Sequence, residues 1–259
     1  MKHIEKRFLL EFKNEKEDLE NSNLETYKIT KDFDHRNLDG QKKKIILLVT
    51  ETKNVYGGFV HKVNNKNYVF PVPDPTLIYF HNAQISIARI KECKEKLLQK
   101  LDFNSQLDES AINEIYEFYG VASSFVIYLF TSIESFINQL IPDEYIFIRK
   151  LSTKTELFDK NQIQDYLDFK TKITDVLKGA IGKSFFTNQS PANQHIWNLK
   201  EFRNDIIHTK PKDESPLRYD SLIKSSLNFK YEETLKSVAK FMNFYKEKYI
   251  IECDCGRDF

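Results

Sequence analysis

The sequence predicts an α+β fold that is mainly an α-helical bundle with a β-rich N-terminal region. Three observations lead there. Short runs of β-branched and aromatic residues fill residues 1–80, apolar residues recur at helical spacing beyond them, and a proline cluster lies between the two patterns.

The runs are residues 4–12, 24–29, 44–52, 56–63 and 68–72, whose side chains suit a pleated, half-buried surface. Asn64-Asn65 separates the last two and suits a tight hairpin turn, where central residues need positive φ. Pro71, Pro73 and Pro75 stop any strand or helix and mark the boundary. Residues 78–101 then read as a helix. Ser110–Leu140 reads as a longer one, with Ile112, Ile115, Tyr119, Ala122, Val126, Leu129, Ile133, Phe136, Ile137 and Leu140 on one face and Pro142 at its end. A third helix covers residues 161–181 and stops near Gly182. Residues 191–208 form a fourth, with Ser190 as its cap, Pro191 in its first position and Pro211 beyond its end. Residues 231–249 form the last. The expected organisation is a β-rich region over 1–80, a helical bundle over 81–250 and a tail over 251–259.

Composition narrows the classes. Only 7 Gly and 7 Pro in 259 residues argue against a loop-rich all-β fold. The 39 basic and 38 acidic side chains nearly cancel, so any surface for nucleic acid must be local. Three cysteines, an odd number, speak against a disulfide framework and for a reducing, cytoplasmic setting. The start, Met1-Lys2-His3-Ile4-Glu5-Lys6-Arg7, is too charged for a secretory signal, and no apolar run approaches the length of a membrane span.

The stretch that carries chemistry is Leu199-Lys200-Glu201-Phe202-Arg203-Asn204-Asp205-Ile206-Ile207-His208. At about 100° per residue, Ile196, Leu199, Phe202, Ile206 and Ile207 fall on one apolar stripe. Arg203 falls inside it, where a cation is costly unless paired or used. Asn204 and His208 are four apart and stack on one edge, with Trp197 on the same edge two turns back.

Arg203-Asn204-Asp205-Ile206-Ile207-His208 resembles the R-N-x-x-x-H signature of HEPN domains. The stretch Phe130-Thr131-Ser132-Ile133-Glu134-Ser135-Phe136-Ile137-Asn138 is similar to an earlier HEPN helix that often supplies a polar residue to the site. The resemblance covers the helical region. It implies a helical bundle and a metal-independent endoribonuclease of a prokaryotic defence or toxin–antitoxin system, without a cofactor. It also implies a homodimer, since one motif gives one histidine per chain and these nucleases face two motifs into a shared cleft. An antitoxin or defence protein is a further partner the resemblance brings. Some family toxins carry a Tyr two residues after the His; Lys210 stands there in this chain.

The residue types suit the reaction. RNA cleavage by 2′-hydroxyl attack needs a proton acceptor and a donor, and an imidazole such as that of His208 can serve as either. Negative charge develops on the phosphorane, and the planar fork of Arg203 matches it. Asn204 is expected to position them and Glu134 to support Arg203 or His208. Asn138, Lys200 and Lys210 are candidates to bind the RNA, together with Lys212. The alternative is a catalytically silent helical module that binds a partner protein or RNA. In that reading Arg203 pairs with Glu134 in the core and His208 serves only the helix dipole.

Other patterns carry less. Cys253-x-Cys255, beside Asp254 and Asp258, falls short of the about four ligands of a zinc site. Only Cys93 and scattered histidines are left to complete it, so a mobile tail is expected. Arg36-Asn37 starts like the motif but has Gln41 in the histidine place. Gly57-Gly58 is too short for a phosphate loop.

Overall fold

A computed structural model of the chain describes residues 2–9, 11–13, 34–41, 44–49, 54–102, 109–209, 217 and 219–256. The chain forms two compact units, Lys6–Asp74 and a helical unit of Met1–Glu5 with Pro75–Phe259. The boundary thus falls at Asp74, earlier than residue 80, because Pro75 already opens the first helix. The first five residues also leave the β region, because Ile4 bridges Glu252 in the helical unit.

In the smaller unit β3 (Asn54–Val63) is the common antiparallel partner of β1 (Glu11–Lys13), β2 (Ile46–Val49) and β4 (Lys66–Pro71). The expected strand over 4–12 shrinks to β1 plus isolated bridges at Ile4 and Phe8. The expected strand over 24–29 lies outside the described residues. Asn64 and Asn65 turn the β3–β4 hairpin with φ of 49° and 63°, the left-handed geometry that asparagine tolerates. Gly58 lets β4 come close: a Cβ there would sit 2.6 Å from the Phe70 carbonyl oxygen.

The helical unit is built on α1 (Pro75–Lys100) and α2 (Ser110–Leu140), which pack along each other. Phe80, Ala83 and Ile87 of α1 meet Phe118, Ala122, Phe125, Leu129, Ile133 and Ile137 of α2 in one buried cluster. Among the described residues α2 alone is long and apolar enough to cross a membrane, but these side chains are the bundle's core. Four members of its expected apolar face are not fully buried: Ile112 is exposed, and Ile115, Tyr119 and Leu140 are half-buried, since the true stripe runs through Phe118 and Phe125.

The hairpin β5 (Phe147–Lys150) and β6 (Thr155–Phe158) follows, in a stretch where no strand was expected. The expected helix over 161–181 is two, α3 (Lys160–Tyr166) and α4 (residues 169–181, with a π-helical stretch over Lys172–Val176). Two aspartates start them. Asp159 closes a capping box with Gln162, and Asp168 accepts the Thr171 N–H at 3.1 Å. Gly182, at φ 77°, ends α4.

Helix α5 (Pro191–Ile207) carries the motif, and α6 (Asp220–Asn228) and α7 (Tyr231–Tyr245) complete the unit. Helix α6 was not anticipated, and α7 stops at Tyr245, short of residue 249. Ser190 caps α5 as its sequence predicts, accepting the Asn193 N–H at 3.2 Å, with Pro191 next. Ser190→Ala should cost about 0.5–2 kcal/mol, read as a lower melting temperature with the circular-dichroism spectrum unchanged. Ile196, Leu199 and Phe202 of α5 are buried against α7 and α2, which fixes the roll of α5 and hence where its motif points.

Candidate functional site

Three turns of α2 present Phe130, Glu134 and Asn138 at successive spacings of four, so they share one edge. Helix α5 meets that edge. The guanidinium of Arg203 lies 5.0 Å from the centroid of the buried Phe130 ring and donates to Asn204 Oδ1 at 3.2 Å. Phe130 in turn packs on Phe169 (4.8 Å), and Phe169 on Trp197 (6.3 Å). The half-buried arginine therefore has an aromatic face as its floor, an arrangement that attracts the cation electrostatically.

Among the described residues no ion pair joins Arg203 to Glu134, contrary to the silent-module expectation. The Glu134 charge acts on Lys172 of α4. Lys172 is 6% exposed and gives its Nζ to the Gln164 carbonyl at 2.7 Å. Burial holds its pKa below the usual lysine range, with Glu134 foremost among the charges that oppose this. Sequence reading missed Lys172. The available signal was its place on the stripe of Phe169, Ile173 and Val176, the same signal that singled out Arg203.

His208 is the C-cap of α5. Its backbone N–H donates to the Asn204 carbonyl at 2.8 Å, and its side chain is exposed. The helix end thus ties Asn204 and His208 together through the main chain, with Asn204 also touching Arg203. His195, the other histidine of this helix, is committed to Ser237 Oγ at 2.9 Å, which leaves His208 as the exposed imidazole of α5. Ile207 is exposed rather than on the buried stripe, because the helix ends there.

Of the expected RNA-binding residues, Lys200 and Asn138 are described. Lys200 is ion-paired with its neighbour Glu201 at 2.8 Å. Asn138 is half-buried, and its Oδ1 is buried with no hydrogen-bond partner among the described residues. Lys210, Lys212 and Pro211 lie outside the described residues.

Within the smaller unit, β3 and β4 expose a second feature. Register pairs Phe59 with Phe70, His61 with Tyr68 and Val63 with Lys66, so strand alternation puts all six on one face. Every one of them is exposed. Phe59 and Phe70 stack at 5.9 Å, and the Lys66 ammonium lies 5.6 Å over the Tyr68 ring.

The chain matches no protein-family model, no curated protein and no solved structure.

Proposed function

We propose that this chain is a metal-independent HEPN-type endoribonuclease that cleaves RNA by 2′-hydroxyl attack, working as a homodimer in a prokaryotic defence or toxin–antitoxin system. The observation that carries the reading is the end of α5: an arginine over the Phe130 ring, an asparagine touching it, and an exposed histidine one turn on. His208 exchanges protons with the 2′-hydroxyl and the 5′-oxygen, Arg203 stabilises the phosphorane, and Asn204 fixes the arginine. Glu134 takes the more distant part of setting the local charge together with Lys172. The exposed aromatic face of β3–β4 supports a single-stranded RNA ligand, because bases stack on such rings and Lys66 and His61 can meet the phosphates.

One observation favours the silent-module alternative: Arg203 already has a structural use on Phe130. Incubating the pure protein with total RNA separates the two readings. Cleavage should persist in EDTA, with circular dichroism confirming a folded protein, and should leave cyclic phosphate or 3′-phosphate ends. Strict dependence on added Mg²⁺ or Mn²⁺ would sink the mechanism, and no cleavage at all would favour the module.

Two further outcomes follow from the same reading. Tyr68→Ala and Phe70→Ala should each weaken binding of single-stranded RNA by about 1–3 kcal/mol, measured by fluorescence anisotropy. Light scattering should return a dimer at micromolar concentration. Phe130 and Phe136 of α2 are buried in the chain's own core, whereas Tyr116 is 77% exposed on α2. Tyr116→Glu is therefore the substitution to try against the dimer.

A further inference from the structure

The two ends of the described chain meet. Ile4 and Glu252 form an antiparallel bridge, Glu5 N–H donates to the Ile251 carbonyl at 2.9 Å, and Cys253 N–H donates to the His3 carbonyl at 2.7 Å. Asn243 of α7 clamps Ile250 from both sides, donating to its carbonyl at 3.0 Å and accepting its N–H at 2.7 Å. Lys2 and Asp254 add an ion pair at 2.7 Å. Residues 250–254 are thus held against the N-terminal arm, where the sequence led us to expect a mobile tail.

This clip brings three soft or borderline donors to one point. His3 Nδ1 lies 3.1 Å from Cys253 Sγ and 3.3 Å from Cys255 Sγ, and the two sulfurs are 2.9 Å apart. The imidazole is buried, Cys253 is half-buried and Cys255 is exposed, so the cluster opens to solvent on one side. We propose that His3, Cys253 and Cys255 bind a zinc-class divalent ion that fastens the N-terminal arm to the C-terminal tail, with a fourth position open to water.

The donor set excludes hard cations, since Ca²⁺ and Mg²⁺ take oxygen ligands whereas thiolates and imidazole select zinc and its soft neighbours. Two thiolates, one imidazole and an open position is a known zinc arrangement. The spacing fits as well. Zn–S of about 2.3 Å and Zn–N of about 2.0–2.1 Å in a tetrahedron set ligand atoms about 3.5–3.8 Å apart. The three atoms here are closer than that, so an ion seats by spreading both sulfurs, the exposed Cys255 and the half-buried Cys253, away from each other and from the His3 ring. Binding holds both sulfurs as thiolates, with their two protons released to solvent. Sequence reading set the Cys253-x-Cys255 pair aside for a shortage of ligands, with only Cys93 and scattered histidines to complete it; His3, from the far end of the chain, is one of those histidines.

The test uses reduced, EDTA-treated full-length protein titrated with Co²⁺ and then Zn²⁺. One Co²⁺ per chain should give a thiolate-to-cobalt charge-transfer band that Zn²⁺ displaces, and Zn²⁺ should raise the melting temperature. Cys253→Ser and Cys255→Ser should each abolish the band. His3→Gln should weaken Zn²⁺ binding by at least the about 10–100-fold that loss of even an outer-shell partner costs. A measurement on the unaltered protein guards against misfolded variants: Zn²⁺ should protect Cys253 and Cys255 from alkylation by N-ethylmaleimide, read by peptide mass spectrometry. No cobalt band in the native protein, an undiminished band in the Cys253→Ser/Cys255→Ser double variant, or equal alkylation with and without Zn²⁺ would overturn the proposal. None of these readouts depends on RNA cleavage, so the site and the nuclease reading stand or fall separately.

Discussion

His208→Ala is expected to lower RNA cleavage by about 10²–10⁴-fold, the range for losing a positioned general acid–base, while the melting temperature stays within a few degrees of native. Both halves follow from where His208 sits. Its backbone caps α5 through a bond to the Asn204 carbonyl, which alanine keeps. Its φ of −108° is open to any L-residue. Its side chain is exposed, so its deletion leaves no cavity, and only a charge–dipole contribution of about 0.3–1 kcal/mol is at stake when the ring is protonated. A cleavage assay and a thermal melt on the same preparation read both. Native-rate cleavage by His208→Ala would remove the centre of the nuclease proposal and leave the binding module.

What was legible in the sequence had a local cause. The bounds of α2 could be read because Ser110–Leu140 keeps one period throughout and Pro142 follows. The start of α5 could be read because Ser190 and Pro191 act within a single turn. The Asn64-Asn65 turn was legible because left-handed backbone restricts residue choice. The break between α3 and α4 was missed because the apolar period of 161–181 continues across it. Only the Asp168 cap, whose effect is local hydrogen bonding, marks the interruption. The β5–β6 hairpin was missed because its strands are four residues each, too short for a period to show.

The site divides in the same way. Arg203, Asn204 and His208 lie within one and a half helical turns, so their proximity is written in their spacing. Phe130 as the floor of Arg203, and the Glu134 charge acting on Lys172, depend on how α2, α4 and α5 cross, which no spacing records. The meeting of His3 with Cys253 is the extreme case, because its sequence separation spans nearly the whole chain.

Arg203→Ala should lower cleavage by at least about 10²–10³-fold, as for removal of one preorganised donor to a developing anion. Its effect on stability decides what the arginine does in the fold. Had Arg203 been paired with a buried carboxylate, truncation would strand that charge at about 3–5 kcal/mol. Its contacts are instead the Phe130 ring and Asn204 Oδ1. Loss of a cation–π contact is worth about 0.5–2 kcal/mol, so the melting temperature should fall, but by less than a broken buried pair demands. Arg203→Lys separates the two roles. An ammonium still lies over the Phe130 ring and keeps most of the stability, yet it lacks the planar fork that matches a phosphorane. Near-native melting with cleavage still down at least tenfold is the expected signature of a group used in chemistry. If Arg203→Lys cleaves at the native rate, a point charge suffices and the fork plays no part. If Arg203→Ala instead melts as low as a stranded charge requires, a carboxylate does engage the guanidinium, and the aromatic floor is not what makes this position tolerable for a cation.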